Sequence, residues 1–236
     1  MPGLTDRANI EAFLNAHEEI LEPTFLSVGE DVGVWRVLAF LGRGGNGEVY
    51  RVAHKQLGII AALKVLTRDD DAARKRFRRE ARILAENSHP ALPRFLGYDE
   101  SERCAYLVIE LLEELPLPRS DRQIAKYLCQ VCEGVAFLHS LGLVHRDIKP
   151  QNILQRGNSG QPVLIDLGMV KDTTLSLVHA GASLSIVNGQ TIGVGTPKYA
   201  APEQFAGGTI SPAADIHALG VLANECFVNY PPFMKH

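Results

Sequence analysis

Between residues 5 and 21, Ile10, Phe13, Leu14, His17, Ile20 and Leu21 fall on one face at helical spacing, with Thr5 or Asp6 available as N-cap. The spacing predicts an amphipathic helix that needs a surface to lie on, either the domain that follows or a partner. From Val34 the texture changes to short β-branched runs bounded by glycine or by the turn KQLG. VWRVLAFLG, GEVYRVAH and GIIAALKVL predict a three-strand meander. A charged helix over residues 70–87 comes next, followed by two further strand-like runs, LPRFLGY and CAYLVIEL. Beyond Pro118 the pattern is mostly helical, with one helix from Asp121 to Ser140 and another from Ala213 to Val228. The expected fold class is α+β. A β-rich half carrying one helix is joined near Glu110 to Leu115 to a helical half, and a ligand is expected in the cleft between them.

The 236 residues are 46% hydrophobic and 22% charged with a net charge of −3, ordinary globular figures with no general attraction for a polyanion. No nucleic-acid partner is expected. The one local basic patch, RKRFRRE at 74–80, reads chiefly as the outer face of the charged helix, with a phosphate-receiving site as the sharper alternative. The opening MPGLTDRANIE is polar and acidic, and the apolar run IHALGVLANECFV falls short of a span, so a cytoplasmic protein without membrane contact is expected. The four cysteines agree with a reducing compartment. Cys129 and Cys132 form a C-x-x-C within a helical pattern, without a second pair or a histidine, and read as reduced thiols and not as a metal or redox site.

Polar residues set into apolar surroundings carry the chemistry. In LGRGGNGEVY, Gly42, Gly44 and Gly47 fit G-x-G-x-x-G, a loop whose backbone N–H groups can close over phosphates. It links strand to strand, which disfavours a dinucleotide fold, and it lacks the G-K-[ST] ending of a P-loop. A flap over a nucleotide remains. Lys64 is a lone cation in the third apolar strand, AALKVL, and would be costly without a carboxylate partner. At about 100° per residue, Glu80 lies close to the stripe of Phe77, Ala81 and Leu84, whereas Glu86 points away, so Glu80 is the expected partner. In VHRDIKPQNIL, Asp147 could accept a hydroxyl proton, Lys149 could neutralise a transferring phosphate, and Asn152 could offer a metal its amide oxygen. Asp166, ending the strand-like VLIDLG, is a second, harder ligand. In this order they form an inventory for phosphoryl transfer from Mg-ATP.

These residues resemble the protein kinase family. G-x-G-x-x-G-x-V stands at Gly42–Val49, the strand lysine at Lys64, H-R-D at His145–Asp147 with Asn152, D-L-G at Asp166–Gly168 and A-P-E at Ala201–Glu203. DIHALG at 215–220 resembles the family's D-x-W-x-x-G, whose aspartate braces the catalytic loop. The resemblance covers residues 34–233 and implies a two-lobed fold: an extension over 1–31, an N-lobe of antiparallel sheet plus one helix over 32–110, and a mostly helical C-lobe over 111–236. It implies ATP and Mg2+ as cofactors, with Asp147 as base, Lys149 on the γ-phosphate, Asn152 and Asp166 on the metal, and Lys64 with Glu80 at the α- and β-phosphates. Leu41, Val49, Ala62 and Leu154 would sandwich adenine, with the backbone of Glu110 and Leu112 at the hinge and Ile109 as gatekeeper. Lys149 within HRDIKPQN is similar to serine/threonine kinases, so the expected partner is a protein bearing serine or threonine, and Thr196 would contact Asp147 and Lys149. TPKYAAPEQFAGG resembles bacterial members. Arg146 beside the base implies control by a phosphate on the activation segment, where Thr173, Thr174, Ser176, Ser183, Ser185 and Thr191 are candidates for autophosphorylation.

Three departures qualify the resemblance. Leu167 replaces the family's phenylalanine and keeps an apolar contact with Leu84 and His145; LPLPRS stands where a small helix is usual; and NYPPFMKH follows directly on the helix bearing Asp215, where family members continue for several helices and supply an arginine for Glu203. The expectation is an abbreviated C-lobe whose apolar surface is covered by a partner chain, a second copy or the helix at 5–21, with a stripped-down natural kinase or a fragment as the alternatives. The competing functions are a nucleotide-binding pseudokinase acting as switch or scaffold, and a small-molecule kinase of the antibiotic phosphotransferase type, against which GTPKYAAPE speaks.

Overall fold

The computed structural model describes residues 25–44, 47–68, 70–100, 104–118, 120–157, 159–172, 185–187, 190–192, 196–206 and 209–228. The helix expected over 5–21 lies outside these residues. Six antiparallel strands make the main sheet: β1 (Asp31–Val32), β2 (Trp35–Gly44), β3 (Gly47–His54), β4 (Ile60–Leu66), β5 (Phe95–Glu100) and β6 (Ala105–Glu110), in the spatial order β1-β2-β3-β4-β6-β5. The predicted meander is β2-β3-β4. Its second turn closes where the His54 N–H donates to Ile59 O at 2.8 Å and the Gly58 N–H to His54 O at 2.8 Å.

Between β4 and β5 runs helix α1 (Asp71–Glu86). It starts where Asp70 caps it, the carboxylate accepting the Ala73 N–H at 2.7 Å, and stops where the Asn87 amide donates to Ile83 O at 2.8 Å. Strand alternation sorts the sheet into two apolar faces. Ala61, Leu63 and Val65 of β4 join Trp35, Val37, Tyr50, Val52 and Val108 on one side. The other side holds Leu66 and Leu107 with Phe77, Ala81 and Leu84 of α1, and this cluster continues without a break into Ile124, Val131, Leu138, Ile148, Ile153 and Leu164 of the second half. One core therefore spans the seam and fixes the two halves to each other.

The second half contains α2 (Asp121–Ser140) and α4 (Ala213–Val228), as the periodicity predicts, with a short α3 (Pro202–Ala206) before the latter. It also contains short strands, β7 (Glu113–Glu114), β8 (Leu143–Val144), β9 (Ile153–Gln155), β10 (Pro162–Leu164) and β11 (Lys171–Asp172), paired as β10-β9-β7 and β11-β8; of these only β10 overlaps a run read as strand-like, VLIDLG. At two or three residues each the others carry too few alternations to register as strands. β12 (Ser185–Val187) pairs with β13 (Gln190–Ile192). These small ladders hold the loops that carry the polar residues.

Gly134 shows why one helix position tolerates a poor helix former. A Cβ there would stand 2.6 Å from that of Ala91 and 3.1 Å from Leu164 Cδ1, so its absence lets α2 press against the loop after α1. Beside it the His89 ring stacks on Phe137 at 4.2 Å. Ile216, Phe227 and Val228 of α4 are exposed. Among the described residues no helix is long and apolar enough to cross a membrane.

Candidate active site

Lys64 is placed by β4 with its side chain on the cleft face of the sheet, and α1 presents Glu80 to it. The Lys64 Nζ lies 3.0 Å from each Glu80 carboxylate oxygen and 2.9 Å from Asp166 Oδ1. The Glu80 side chain is 5% exposed and that of Asp166, which opens on the cleft, 34%. Burial pulls the ammonium down, but the two carboxylates outweigh it and hold Lys64 above its ordinary range. One cation thus serves two anions. Burial, unopposed by enough positive charge, pushes the enclosed Glu80 up, whereas Lys64 overcomes burial at Asp166 and holds it below its ordinary value.

The second group stands on the loop between β8 and β9, which includes a 3-10 turn at Pro150–Asn152. Asp147 Oδ2 accepts from Lys149 Nζ at 2.8 Å and from Asn152 Nδ2 at 2.9 Å; Oδ1 accepts from the Thr196 hydroxyl at 2.9 Å and its N–H at 3.1 Å. Lys149 also donates to Thr196 Oγ1 at 2.7 Å. Burial raises Asp147, but Lys149, Thr196 and Asn152 together bring it below the usual carboxylate range, so it is ionised at neutral pH. The Asn152 amide nitrogen is committed twice, to Asp147 Oδ2 and to its backbone carbonyl at 2.8 Å, which turns the amide oxygen outward as an acceptor.

The shape of this loop is imposed from below. Asp215, at the start of α4 and 0% exposed, accepts the Arg146 N–H on Oδ1 and the His145 N–H on Oδ2, each at 2.8 Å, and meets His139 Nε2 of α2 at 2.8 Å. Arg146 has φ 74° and Asp166 has φ 62°, both in the left-handed region that non-glycine residues rarely adopt. Two strained backbone positions flanking a polar seam mark where the fold is held for chemistry. Leu167, buried in the same core as Leu84, follows Asp166, and its backbone N–H reaches Glu80.

Gly42, Gly44 and Gly47 lie in the β2–β3 hairpin that overhangs this seam. At Gly47 a Cβ would stand 1.9 Å from Val65 O, so no other residue fits there without moving β4. Val49 pairs in register with both Gly42 and Lys64, and Ala62 with Ile109, which sets Val49, Ala62 and Ile109 near the lysine on neighbouring strands. Leu41 is exposed at the rim, Glu110 and Leu112 are half-buried where β6 runs out towards the second half, and Leu154 is half-buried on β9. The donor set fits a nucleotide with a hard divalent cation. Asp166 offers carboxylate oxygens beside the Lys64 cation, and Asn152, held to Asp147 through its amide nitrogen, has its amide oxygen left to accept.

Several polar residues of this region carry no sequence signal. Arg156 donates to Glu110 Oε1 at 2.8 Å and to the carbonyls of Pro90 and Leu92 at 2.5 Å each, tying the end of β6 to the loop after α1. Glu225 accepts from Lys198 at 2.9 Å and from the Tyr199 hydroxyl at 2.5 Å, fastening the GTPKYAAPE segment to α4. Thr173, Thr174, Ser176 and Ser183 lie outside the described residues, while Ser185 and Thr191 are placed by backbone alone in β12 and β13.

The basic run of α1 divides by face. Arg79 donates to Val170 O at 2.9 Å on the seam side. On the other side Glu100 gathers Arg78 at 2.8 Å, Arg74 at 3.1 Å and the Tyr98 hydroxyl at 2.8 Å. Arg78, then Tyr98, hold the Glu100 carboxyl at about 2 in place of 4.5. A depressed folded-state value stabilises above the unfolded one, so this contribution is complete above pH 4.5 and is lost as pH falls towards 2. Glu100→Gln is expected to cost about 0.5 kcal/mol at neutral pH, small because solvent screens the pair. Melting curves of the variant and the parent should converge in acid, and a gap independent of pH would refute the pairing.

A small antiparallel sheet with one helix, closing over a helical half with these groups in the seam, is the two-lobed class expected from the sequence. The protein kinase domain family matches residues 35–236, and the chain belongs to that family. Its relatives include the serine/threonine-protein kinase pkn2 of Myxococcus xanthus, 36% identical over 85% of this chain and 25% of that protein. Serine/threonine-protein kinase Pkn1 of the same organism is 34% identical over 96% of this chain and 34% of its own length. PknA of Mycobacterium tuberculosis is 33% identical over 85% and 48%. The chain thus spans between a quarter and a half of these relatives.

Proposed function

We propose that this chain is a protein serine/threonine kinase domain that transfers the γ-phosphoryl group of Mg-ATP to a serine or threonine hydroxyl of a protein. The observation that carries the reading is the meeting of Lys149, Asn152 and Thr196 at the Asp147 carboxylate, with Lys64 bridging Glu80 and Asp166 as the second polar group. Mg-ATP, when bound, supplies the phosphoryl group and screens its charge. Lys64 would hold the α- and β-phosphates, and Asp166 with the Asn152 oxygen would hold the metal. Lys149 faces the γ-phosphate and stabilises its charge in the transition state. Asp147 orients the attacking hydroxyl and receives its proton as the oxygen–phosphorus bond forms and the bond to the β-phosphate oxygen breaks. Leu41, Val49, Ala62 and Leu154 enclose the base, with the Glu110 and Leu112 backbone reading its edge.

Burial, against the opposing pull of Asp215 and with the Arg79 charge adding to it, holds Arg146 below the ordinary guanidinium range, and a phosphate on the activation segment would favour its charged form. A reducing, cytoplasmic setting suits the four free cysteines. No observation favours the pseudokinase, since none of the residues that transfer would need is replaced. The test is intact-mass measurement of the protein, with and without a generic protein substrate, before and after Mg-ATP. Gain of phosphate with release of ADP supports the reading; nucleotide binding without either would defeat it.

A further inference from the structure

The glycine-rich hairpin contains a wholly buried carboxylate that phosphoryl transfer does not use. Glu48 follows Gly47 on β3 and is 0% exposed. Alternation places Glu48, Tyr50 and Val52 on the face turned away from the cleft, and Val49 on the cleft side. An unsatisfied carboxylate there would be prohibitive, and Glu48 is satisfied from two directions. Across the hairpin, in register, Arg43 donates to Oε1 from Nε at 3.0 Å and from Nη2 at 2.9 Å. Oε2 accepts the Tyr50 hydroxyl and the backbone N–H of Phe25 at 3.2 Å. The Tyr50 oxygen in turn accepts the Leu26 N–H at 3.0 Å. Burial, with Glu48 beside it, pushes Tyr50 up to about 12, so it remains a donor at neutral pH.

Two successive backbone amides of the segment before β1 therefore converge on the outer face of the flap. That segment is seated, not draped. Leu26 is buried with Trp35, Val37 and Tyr50, and the chain beyond it pairs with β2 through Gly29 N–H to Val37 O and Val37 N–H to Glu30 O, each at 2.9 Å. Arg43 stands between Gly42 and Gly44, in the part of the hairpin that must settle over phosphates, yet its guanidinium is anchored on the far side. Movement of the flap relative to the segment has to stretch the bonds from the Phe25 and Leu26 N–H groups to Glu48 and Tyr50.

We propose that Glu48 is a positioning residue that couples the Phe25–Leu26 segment to the nucleotide flap, so that seating the segment raises nucleotide affinity and releasing it lowers affinity. The inference rests on the kinase reading above. Linkage requires the reverse effect as well: bound nucleotide should protect the Phe25 and Leu26 amides from exchange.

The experiment uses the full chain as wild type, Arg43→Ala, Tyr50→Phe, Glu48→Gln and the Arg43→Ala/Glu48→Gln double variant. It measures the dissociation constant of a fluorescent ADP analogue with magnesium, kcat and KM for ATP, melting temperature, and amide exchange at Phe25 and Leu26. Each single change is expected to raise the dissociation constant and KM by about five- to tenfold, as for loss of a hydrogen bond to a charged group. Turnover should stay within about twofold, because the reacting atoms are not touched. The double variant should be no weaker than the worse single one. Nucleotide should slow exchange at both amides in the wild type and not in Glu48→Gln.

Arg43→Ala and Tyr50→Phe both folded, with wild-type nucleotide affinity, would overturn the coupling. A lower melting temperature with unchanged KM would do so too, since that is all a merely structural tie predicts. Failure of Glu48→Gln to fold leaves the decision to the other two variants. A wild type that binds no nucleotide at all removes the kinase reading itself, and this inference with it.

Discussion

Asp147→Asn is expected to reduce phosphoryl transfer by about 10²–10⁴-fold, the usual loss when a positioned general base is removed, while leaving nucleotide affinity near that of the parent. Asp147 touches Lys149, Asn152 and Thr196 and none of the residues proposed to hold adenine or the α- and β-phosphates. Its removal therefore falls on the step and not on binding. The change is nearly isosteric but not silent. Asp147 Oδ2 faces two donor nitrogens and Oδ1 faces a hydroxyl and an N–H, so an amide NH2 on either side meets a donor. A modest fall in melting temperature should accompany the loss. Rate of ADP release, phosphate gained by intact mass, and nucleotide affinity measured together separate the two effects. Turnover within tenfold of the parent would remove Asp147 from the role of base.

How far the site was legible in the sequence depended on the range of the contact that makes it. Helical geometry alone chose Glu80 over Glu86 for Lys64, because their relation is fixed by one helix against one strand, and the two side chains meet at 3.0 Å. The limits read for α2 from the helical pattern beyond Pro118, Asp121 to Ser140, are the limits the structure shows. Order along the chain gave the family, because its motifs are local. What remained hidden was tertiary. Arg156 reaches Glu110 across 46 positions, and no pattern around either residue signals the other. Glu48 is the instructive case. Alternation in GEVYRV places it on the same face as Tyr50 and Val52, and a carboxylate sharing a face with buried tyrosine and valine is itself a signal that a cation must stand opposite. Arg43, five residues earlier across a tight hairpin, was the candidate within reach.

Asp215→Ala is expected to be the most damaging single substitution to the fold. The carboxylate accepts the His145 and Arg146 N–H groups and also meets the His139 ring. Removing it takes away the acceptor of two N–H groups inside the protein. Each orphaned buried donor costs about 1–3 kcal/mol, so a loss of roughly 3 kcal/mol or more in unfolding free energy is expected. That is a large fraction of a typical domain's stability. The second consequence is chemical. Arg146 at φ 74° is held by its surroundings, and the Asp215 bonds are part of what holds it, beside the Gln204 amide that donates to the Arg146 carbonyl. Without them the backbone relaxes and carries Asp147 off its line with Lys149 and Thr196. Asp215→Asn should fall between parent and Ala, since one amide oxygen can still accept while the NH2 faces a donor. Urea unfolding with the midpoint and slope fitted separately, alongside turnover and nucleotide affinity in native buffer, checks both consequences. The expected signature is the order parent, Asn, Ala in stability, with turnover falling faster than nucleotide affinity. An alanine variant within 1 kcal/mol of the parent would show that the catalytic loop holds its strained shape by other means.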